Sequence, residues 1–460
     1  MTRRTWKRFC IPRRACGDQE RIESRKCSGQ NERMRLLLLI GIFLVLIPRM
    51  FAIELSLGHF VGTNHPMHRE IFLPLAERLA SESRGALTLR IVPDIGNPPR
   101  QWDRVLAGEF DLVFGLPGYT PERFPRTRLI ELPSIARDSA EGTRMLDRAR
   151  ERTLAGELSE VVPLALWVNE PSVLLCRGHR IRRPTDLTGL RIRASDPISA
   201  RVLELWGATP VLIPVNQIVG ALGDGKLDGV LIGASGIAAF HLESVTDSCT
   251  FPLPVMLTSF YLAMNRARWD ALLSEEKAFI TSAVGPDLGL AATAAYERAG
   301  VEGFETLRAA GAALDSLSAA ESDAFWIPLS RLQSEVVSGL AVDHVDGQQI
   351  LDNFRPRLIP GFAGNNWALE LKGAKGLHYS LEGSMDFTRW GNLGERVGGA
   401  NGSTGWIVPM VPGQPTIFRV LVPWFATWKF LLGLFLGTTR GDGPGSVGTC
   451  RDAAHPPQTP

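Results

Sequence analysis

The sequence predicts an α/β fold of two similar lobes with a ligand cleft between them, followed by a small C-terminal all-β module. Three observations carry this. Strand-like and helix-like periods alternate from Ile53 to Phe114, the pattern of parallel strands joined by helices. The stretch Gly108-Glu109-Phe110-Asp111-Leu112-Val113 returns as Gly225-Lys226-Leu227-Asp228-Gly229-Val230, each closing a helix and opening a strand. Near Pro360 the texture changes to alternating apolar residues with Gly-rich turns from Gly391 to Gly405.

Taken in order, Ile53 to Gly58 is a short apolar strand, and Val61 to His65 is a loop. Pro66 suits a first helical position, where its missing N–H costs nothing. Met67, Ile71, Leu75 and Leu79 then recur every four residues and form one buried stripe. Pro74 inside that stripe predicts a kink or break, and Gly85 ends it. Leu87, Leu89 and Ile91 alternate as in a strand. A helix from Trp102 to Ala107 stops at Gly108, and Asp111 to Phe114 is again a strand. Further on, Leu187 to Arg193 reads as a turn feeding a strand that ends on an arginine. A helix, the turn Trp206-Gly207-Ala208 and a second strand follow. Phe260 to Met264 is an apolar strand. Trp269, Leu272 and Leu273 open a helical region running to about Leu340, alanine-rich from Leu288 to Ala313. Asp346 to Leu351 is the last helix of this body.

With 460 residues, two or three folded units are expected. The net charge is +2, but residues before Met34 carry +6, with ten Lys/Arg against four Asp/Glu, and Arg35 and Arg49 add +2. The body from Ile53 onward is therefore at −6, which does not suggest nucleic-acid binding. Met34-Arg35 and the thirteen uncharged residues Leu36–Pro48 are too short for a bilayer span and fit a secretory signal of about residues 34–52, cleaved after Ala52. Residues 1–33 are either an upstream extension from start-site choice or a basic leader. Cys176 and Cys249 either pair in an exported protein or stand as buried thiols. No GxSxG, HExxH, CxxC or Walker pattern is present, so no catalytic or metal site and no cofactor is expected. His65 and His68, three apart at a helix start, have a spacing that could share a metal, but are read as solvent-facing or capping imidazoles.

In the C-terminal part, Trp367, Leu369 and Leu371 alternate, and Tyr379, Leu381, Phe387 and Trp390 follow. The region 362–422 reads as antiparallel β and resembles a module appended to secreted bacterial proteins. Residues 423–460 are an apolar segment and a Gly/Pro/Thr-rich tail expected to be disordered. The apolar stretch from Phe418 to Gly437 is interrupted by Arg419, Pro423 and Lys429, and membrane association there is a second possibility.

The order Leu187-Thr188-Gly189-Leu190-Arg191-Ile192-Arg193, then Trp206 to Pro210, then Gly225 to Gly229, with Met264-Asn265 before Trp269, resembles the solute-binding proteins of TRAP transporters, the DctP-like family. The resemblance covers about 53–358 and implies a two-lobed, type II periplasmic-binding-protein-like fold. Lobe one would span about 53–165 plus C-terminal helices, and lobe two about 170–255. It further implies a non-enzymatic periplasmic receptor that captures a small organic acid and delivers it to TRAP permease subunits. A sensor or surface recognition protein on the same fold is the alternative, motivated by the extra module. The family's carboxylate clamp falls on Arg193, a planar fork suited to a bidentate pair. Arg191 is read as structural. Where sialic-acid binders of the family carry polar or aromatic groups, this chain has Val173, Leu116, Ile232, Val215 and Phe60. That implies one carboxylate on an apolar body: a branched or aromatic monocarboxylate, or a 2-oxo acid. Asn169, Asn216, Thr63, Asn64 and Tyr119 are the polar candidates for the cleft. Trp167 lines the cleft or belongs to the core, and Arg177 is a poor substitute for a second cation.

Overall fold

The computed structural model of the protein describes residues 52–363 and, beyond them, 366–373, 378–384, 390–399, 403–409 and 417–421. The basic leader, the signal-like run Leu36–Pro48 and the apolar segment after 421 lie outside the described residues.

The first half supplies β1 (Ile53–Gly58), β2 (Leu87–Val92), β3 (Leu112–Gly115), β4 (Val161–Val168), β5 (Ser172–Cys176), β6 (Arg191–Ala194), β7 (Thr209–Leu212) and β8 (Gly229–Gly233). The rest of the body supplies β9 (Ser248–Phe251), β10 (Ser259–Asn265) and β11 (Ala313–Ser316). These eleven strands form two sheets, ordered β2-β1-β3-β10-β4 and β11-β9-β5-β8-β6-β7. Strand β1 pairs in parallel with β2 and β3, and β6 does the same with β7 and β8, so the two lobes share one plan. The chain crosses between the sheets at β4–β5, at β9–β10 and again before β11. The first two crossovers are laced together: Asn169 N–H donates to the Thr258 carbonyl at 3.1 Å, and Thr258 N–H donates to Asn169 Oδ1 at 2.7 Å.

The repeated Gly-x-x-Asp has a physical explanation. Gly108 (φ +70°) and Gly225 (φ +67°) end their helices in the left-handed region, which favours glycine. The Asp three residues on then accepts a backbone N–H from the neighbouring parallel strand. Asp111 takes Ser56 N–H at 2.8 Å, and Asp228 takes Arg191 N–H at 2.8 Å. Arg191 also forks onto Asp228 at 2.8 and 3.0 Å, which is the structural role expected of it.

The stripe Met67, Ile71, Leu75, Leu79 is buried as expected. The break at Pro74 is a change of helical form: a π-helical turn, Met67–Phe72, passes into the α-helix Leu73–Glu82, with the proline in its first turn. The expected helical region from Trp269 to Leu340 requires correction. The helix Leu288–Ala309 ends near Gly311 (φ +78°), and β11 then joins the edge of the second sheet. Alanine propensity pointed to more helix. The free edge of β9 and burial of Asp315 against Arg180 and Arg182 win instead. The apolar stretch 274–309 is long enough to cross a membrane, yet it turns at Gly285 (φ +65°) between two helices.

The helix Leu288–Ala309 touches both lobes because glycines replace side chains at its contacts. A Cβ at Gly289 would sit 2.7 Å from the Leu166 carbonyl oxygen, and one at Gly303 would overlap that of Ala234. Gly303→Ala is expected to destabilise the protein by about 1–3 kcal/mol, through overpacking. Gly339→Ala, in the helix Leu332–Val342 with nothing within 4 Å, should be neutral or stabilising. Denaturant midpoints of the two variants check this contrast. Further along, Trp206 donates its indole N–H to the Phe325 carbonyl at 2.8 Å and meets the Phe325 ring edge-on, so the helix Ala319–Trp326 is tied to the second lobe.

Cys176 and Cys249 are buried free thiols. Cys249 stands opposite Leu175, so the two sulfurs face opposite sides of the sheet, and burial pushes both thiols up to about 12.

The C-terminal module is antiparallel β, as expected. It adds β12 (Arg357–Ala363), β13 (Asn366–Lys372), β14 (His378–Ser384), β15 (Gly391–Val397), β16 (Ser403–Pro409) and β17 (Ile417–Leu421). Sheets β12-β13-β16 and β15-β14-β17 enclose a core that includes Trp367, Leu371, Tyr379, Leu381, Trp406 and Phe418. Its first strand begins at Arg357, ahead of position 362, and Pro360 is tolerated because β12 is an edge strand.

Candidate functional site

Between the two sheets lies a cavity enclosing about 520 Å³, its open mouth included. Its size suits a small-molecule site. The first lobe contributes Phe60, Phe114, Tyr119 and Phe260; the crossovers contribute Asn169 and Thr258; the second lobe contributes Arg193, Val215 and Ile232. Tyr296 reaches in from the long C-terminal helix.

Arg193 is near the carboxyl end of β6, which is where ligands of such sheets sit. It is only 2 % exposed, and its Nε–H donates to the Ile213 carbonyl at 3.0 Å. Burial lowers its pKa, while Tyr119 and Asp196 oppose that shift; arginine stays charged at any working pH. No carboxylate lies within ion-pair distance of it among the described residues. Asp196, nearby, is committed elsewhere: it caps the helix Pro197–Leu205 by accepting Ile198 N–H at 2.8 Å and Ser199 N–H at 2.9 Å. Arg191 and Arg193 share a face of β6; what separates them is position, one at the strand's start against Asp228 and the other at the cleft.

Of the residues named from the sequence, Arg193, Asn169, Tyr119, Phe60 and Val215 line this cavity. Trp167 and Asn216 do not. Trp167 is fully buried behind the wall, stacked on Phe114 and Phe260 at 5.7 and 6.1 Å between centroids, so it supports the lining ring without facing the cavity. Asn216 is exposed, because the short turn Val215–Gln217 points Val215 inward and Asn216 outward. Thr63 and Asn64 are exposed as well, and Arg177 bonds the Leu222 carbonyl at 2.8 Å away from the cleft. Of the apolar replacements, Leu116 and Ile232 also line the wall, whereas Val173 lies in the core of β5.

Tyr119 joins the lobes: its hydroxyl accepts Val215 N–H at 3.2 Å and lies against the Arg193 guanidinium. Tyr119→Phe is expected to weaken ligand binding by about 1 kcal/mol, one hydrogen bond's worth, measurable by calorimetric titration.

Sequence reasoning missed His65, Phe240, Tyr296, Ser235 and Thr258 as lining residues. His65 and His68 are both buried, so the solvent-facing reading is corrected, while the capping reading holds for His65, whose Nδ1 accepts Met67 N–H at 3.2 Å; His68 Nδ1 meets His59 Nε2 at 2.9 Å. No group of three or more potential metal ligands occurs among the described residues.

The sequence matches the model of the bacterial extracellular solute-binding protein family 7, DctP, over residues 57–335. The chain belongs to this family. Among curated relatives of this DctP protein, the outer membrane transporter protein TsaT of Comamonas testosteroni is 26% identical over 312 residues, covering 65% of this chain and 90% of that one. A solute-binding protein of Albidiferax ferrireducens is 21% identical, covering 53% and 73%. Among solved structures, a marine-metagenome TRAP solute-binding protein specific for aromatic acid ligands, in complex with metahydroxyphenylacetate, is similar. It has a TM-score of 0.63 and 26% identity, over 66% of this chain and 97% of that one. A TRAP solute-binding protein from Rhodoferax ferrireducens with copurified benzoate shares the fold, with a TM-score of 0.64 and 23% identity over 66% and 97%. The two-lobed DctP fold is thus the one these TRAP solute-binding proteins share.

Proposed function

We propose that this DctP protein is a periplasmic receptor for an aromatic monocarboxylate. Arg193 holds the carboxylate, the lobes close over the ring, and the loaded receptor passes its ligand to TRAP permease subunits. The observation that carries this is a single buried guanidinium without a carboxylate partner, set in a cavity walled by aromatic rings. Phe60 stacks on Phe114 at 5.2 Å and 9°, and Phe260 stacks on Tyr296 at 5.1 Å. Flat rings on flat walls favour an aromatic body over a branched or sugar-like one. Among the described residues the lining offers no second arginine or lysine to anchor a dicarboxylate. The aromatic-acid specificity of the similar marine protein supports the same ligand class.

Thermal unfolding of the purified protein against benzoate, phenylacetate, mandelate, succinate, glucuronate and isovalerate tests it. A ligand that binds only the native state raises the midpoint by mass action. Shifts confined to the aromatic acids are expected; a shift with succinate or glucuronate alone would overturn the assignment.

A further inference from the structure

We propose that His65 is a specificity-determining residue of this cavity, whose Nε2–H donates to an uncharged oxygen carried on the ring of the bound acid. The protein would then prefer hydroxy-, methoxy- or keto-substituted aromatic acids over the unsubstituted parent. This rests on the aromatic-acid reading above and adds to it the identity of the second polar anchor.

The geometry sets the tautomer. His65 Nδ1 accepts Met67 N–H at 3.2 Å, the first helical donor of the turn that follows Pro66. With Nδ1 an acceptor, a neutral imidazole must carry its proton on Nε2. That atom has no protein partner among the described residues. Unlike His59 Nδ1, which is sealed and unpaired, it is not fully enclosed, and it opens on the cavity that His65 lines. The ring is held by Phe240 at 5.6 Å and, edge-on, by Tyr296 at 5.7 Å. A fixed donor that opens on the cavity gains a partner when a ligand brings an acceptor to it.

Charge decides what kind of acceptor fits. Burial, then the fields of His59, Arg69 and His68, push His65 down to about 3, so it stays neutral at any physiological pH. Tyr296, the titratable group facing it from the long helix, is held protonated by its own burial. A neutral donor suits a hydroxyl, ether or ketone oxygen. It lacks the charge that a second carboxylate would need, in keeping with a single anionic anchor at Arg193.

Calorimetric titration of the full chain with benzoate, 3-hydroxybenzoate and 4-hydroxybenzoate tests this on four proteins: wild type, His65→Asn, His65→Gln and Arg193→Ala. Asn keeps an acceptor near the Nδ1 position for Met67 N–H but removes the donor at Nε2; Gln places a donor near Nε2. Wild type should bind one hydroxybenzoate about tenfold more tightly than benzoate. His65→Asn should lose that preference, its hydroxybenzoate affinity falling about tenfold further than its benzoate affinity, and His65→Gln should retain part of it. The preference should be flat between pH 6 and 8. Equal losses for benzoate and hydroxybenzoate in His65→Asn, or no preference in wild type, would overturn the inference while leaving the aromatic-acid reading intact. Absence of binding by any aromatic acid to wild type would sink both.

Discussion

Arg193→Ala is expected to weaken binding of aromatic carboxylates by more than a hundredfold, roughly 3 kcal/mol or more. The reason lies in where the charge goes. In the cavity the carboxylate would lose water, and among rings such as Phe60, Phe114 and Phe260 the described residues offer it no other arginine or lysine. An unpaired buried charge costs more than the pair is worth, so truncating one partner is severe. Lys at this position should recover only part of the loss. Arg193 spends Nε–H on the Ile213 carbonyl and still has the rest of its fork to offer, whereas an ammonium is a single point. Fold stability should change little or rise, since the variant removes a desolvated charge. Calorimetric titration and an unliganded melting curve separate the two effects. Unchanged affinity would show that the ligand sits elsewhere.

The second large effect concerns pH. Glu131 is 4 % exposed and accepts Ser259 N–H at 2.9 Å and Ser259 Oγ–H at 2.6 Å, while its Oε2 has no partner. Burial, and then the facing Asp196 from the other lobe, raise it from 4.5 to about 8. Below pH 4.5 it is protonated in both folded and unfolded chains. Between pH 4.5 and 8 the unfolded chain ionises it first, so folded-state stability falls as pH rises through that window. Glu131→Gln mimics the protonated acid and can offer N–H to Asp196. It should leave stability unchanged near pH 4.5 and raise it by a few kcal/mol at pH 8. Glu170, also raised by burial to about 7, would leave a residual slope in the variant. Denaturant unfolding at pH 5 and pH 8 measures the difference; an equal loss of stability at both values would mean that Glu131 is not held protonated.

Much of the lobe architecture was legible because its causes are local. The four-residue stripe from Met67 to Leu79, the alternation of Leu87 and Leu89, and the left-handed glycines 108 and 225 each follow from sterics within a few residues. The twin Asp111 and Asp228 showed that this grammar occurs twice, and hence that there are two sheets. Arg193 was legible through the strand that ends on it together with the family order. The apolar substitutions at Phe60, Leu116, Val215 and Ile232 were legible in the same way, and all of them reach the wall.

What the sequence by itself determined about this protein is therefore two α/β lobes, a β module, one arginine at a strand end and an apolar ring around it. Tertiary structure alone decided the rest. Trp167 stands behind the wall because Phe114 and Phe260 occupy the cavity side. Asn216 faces water because a short turn gives its inward position to Val215. His65 becomes a donor only when Met67 N–H takes its other nitrogen and Tyr296 arrives from more than two hundred residues away. Local periodicity records which face of an element is buried. It does not record which distant elements meet there, since those contacts depend on how two sheets and a bridging helix converge.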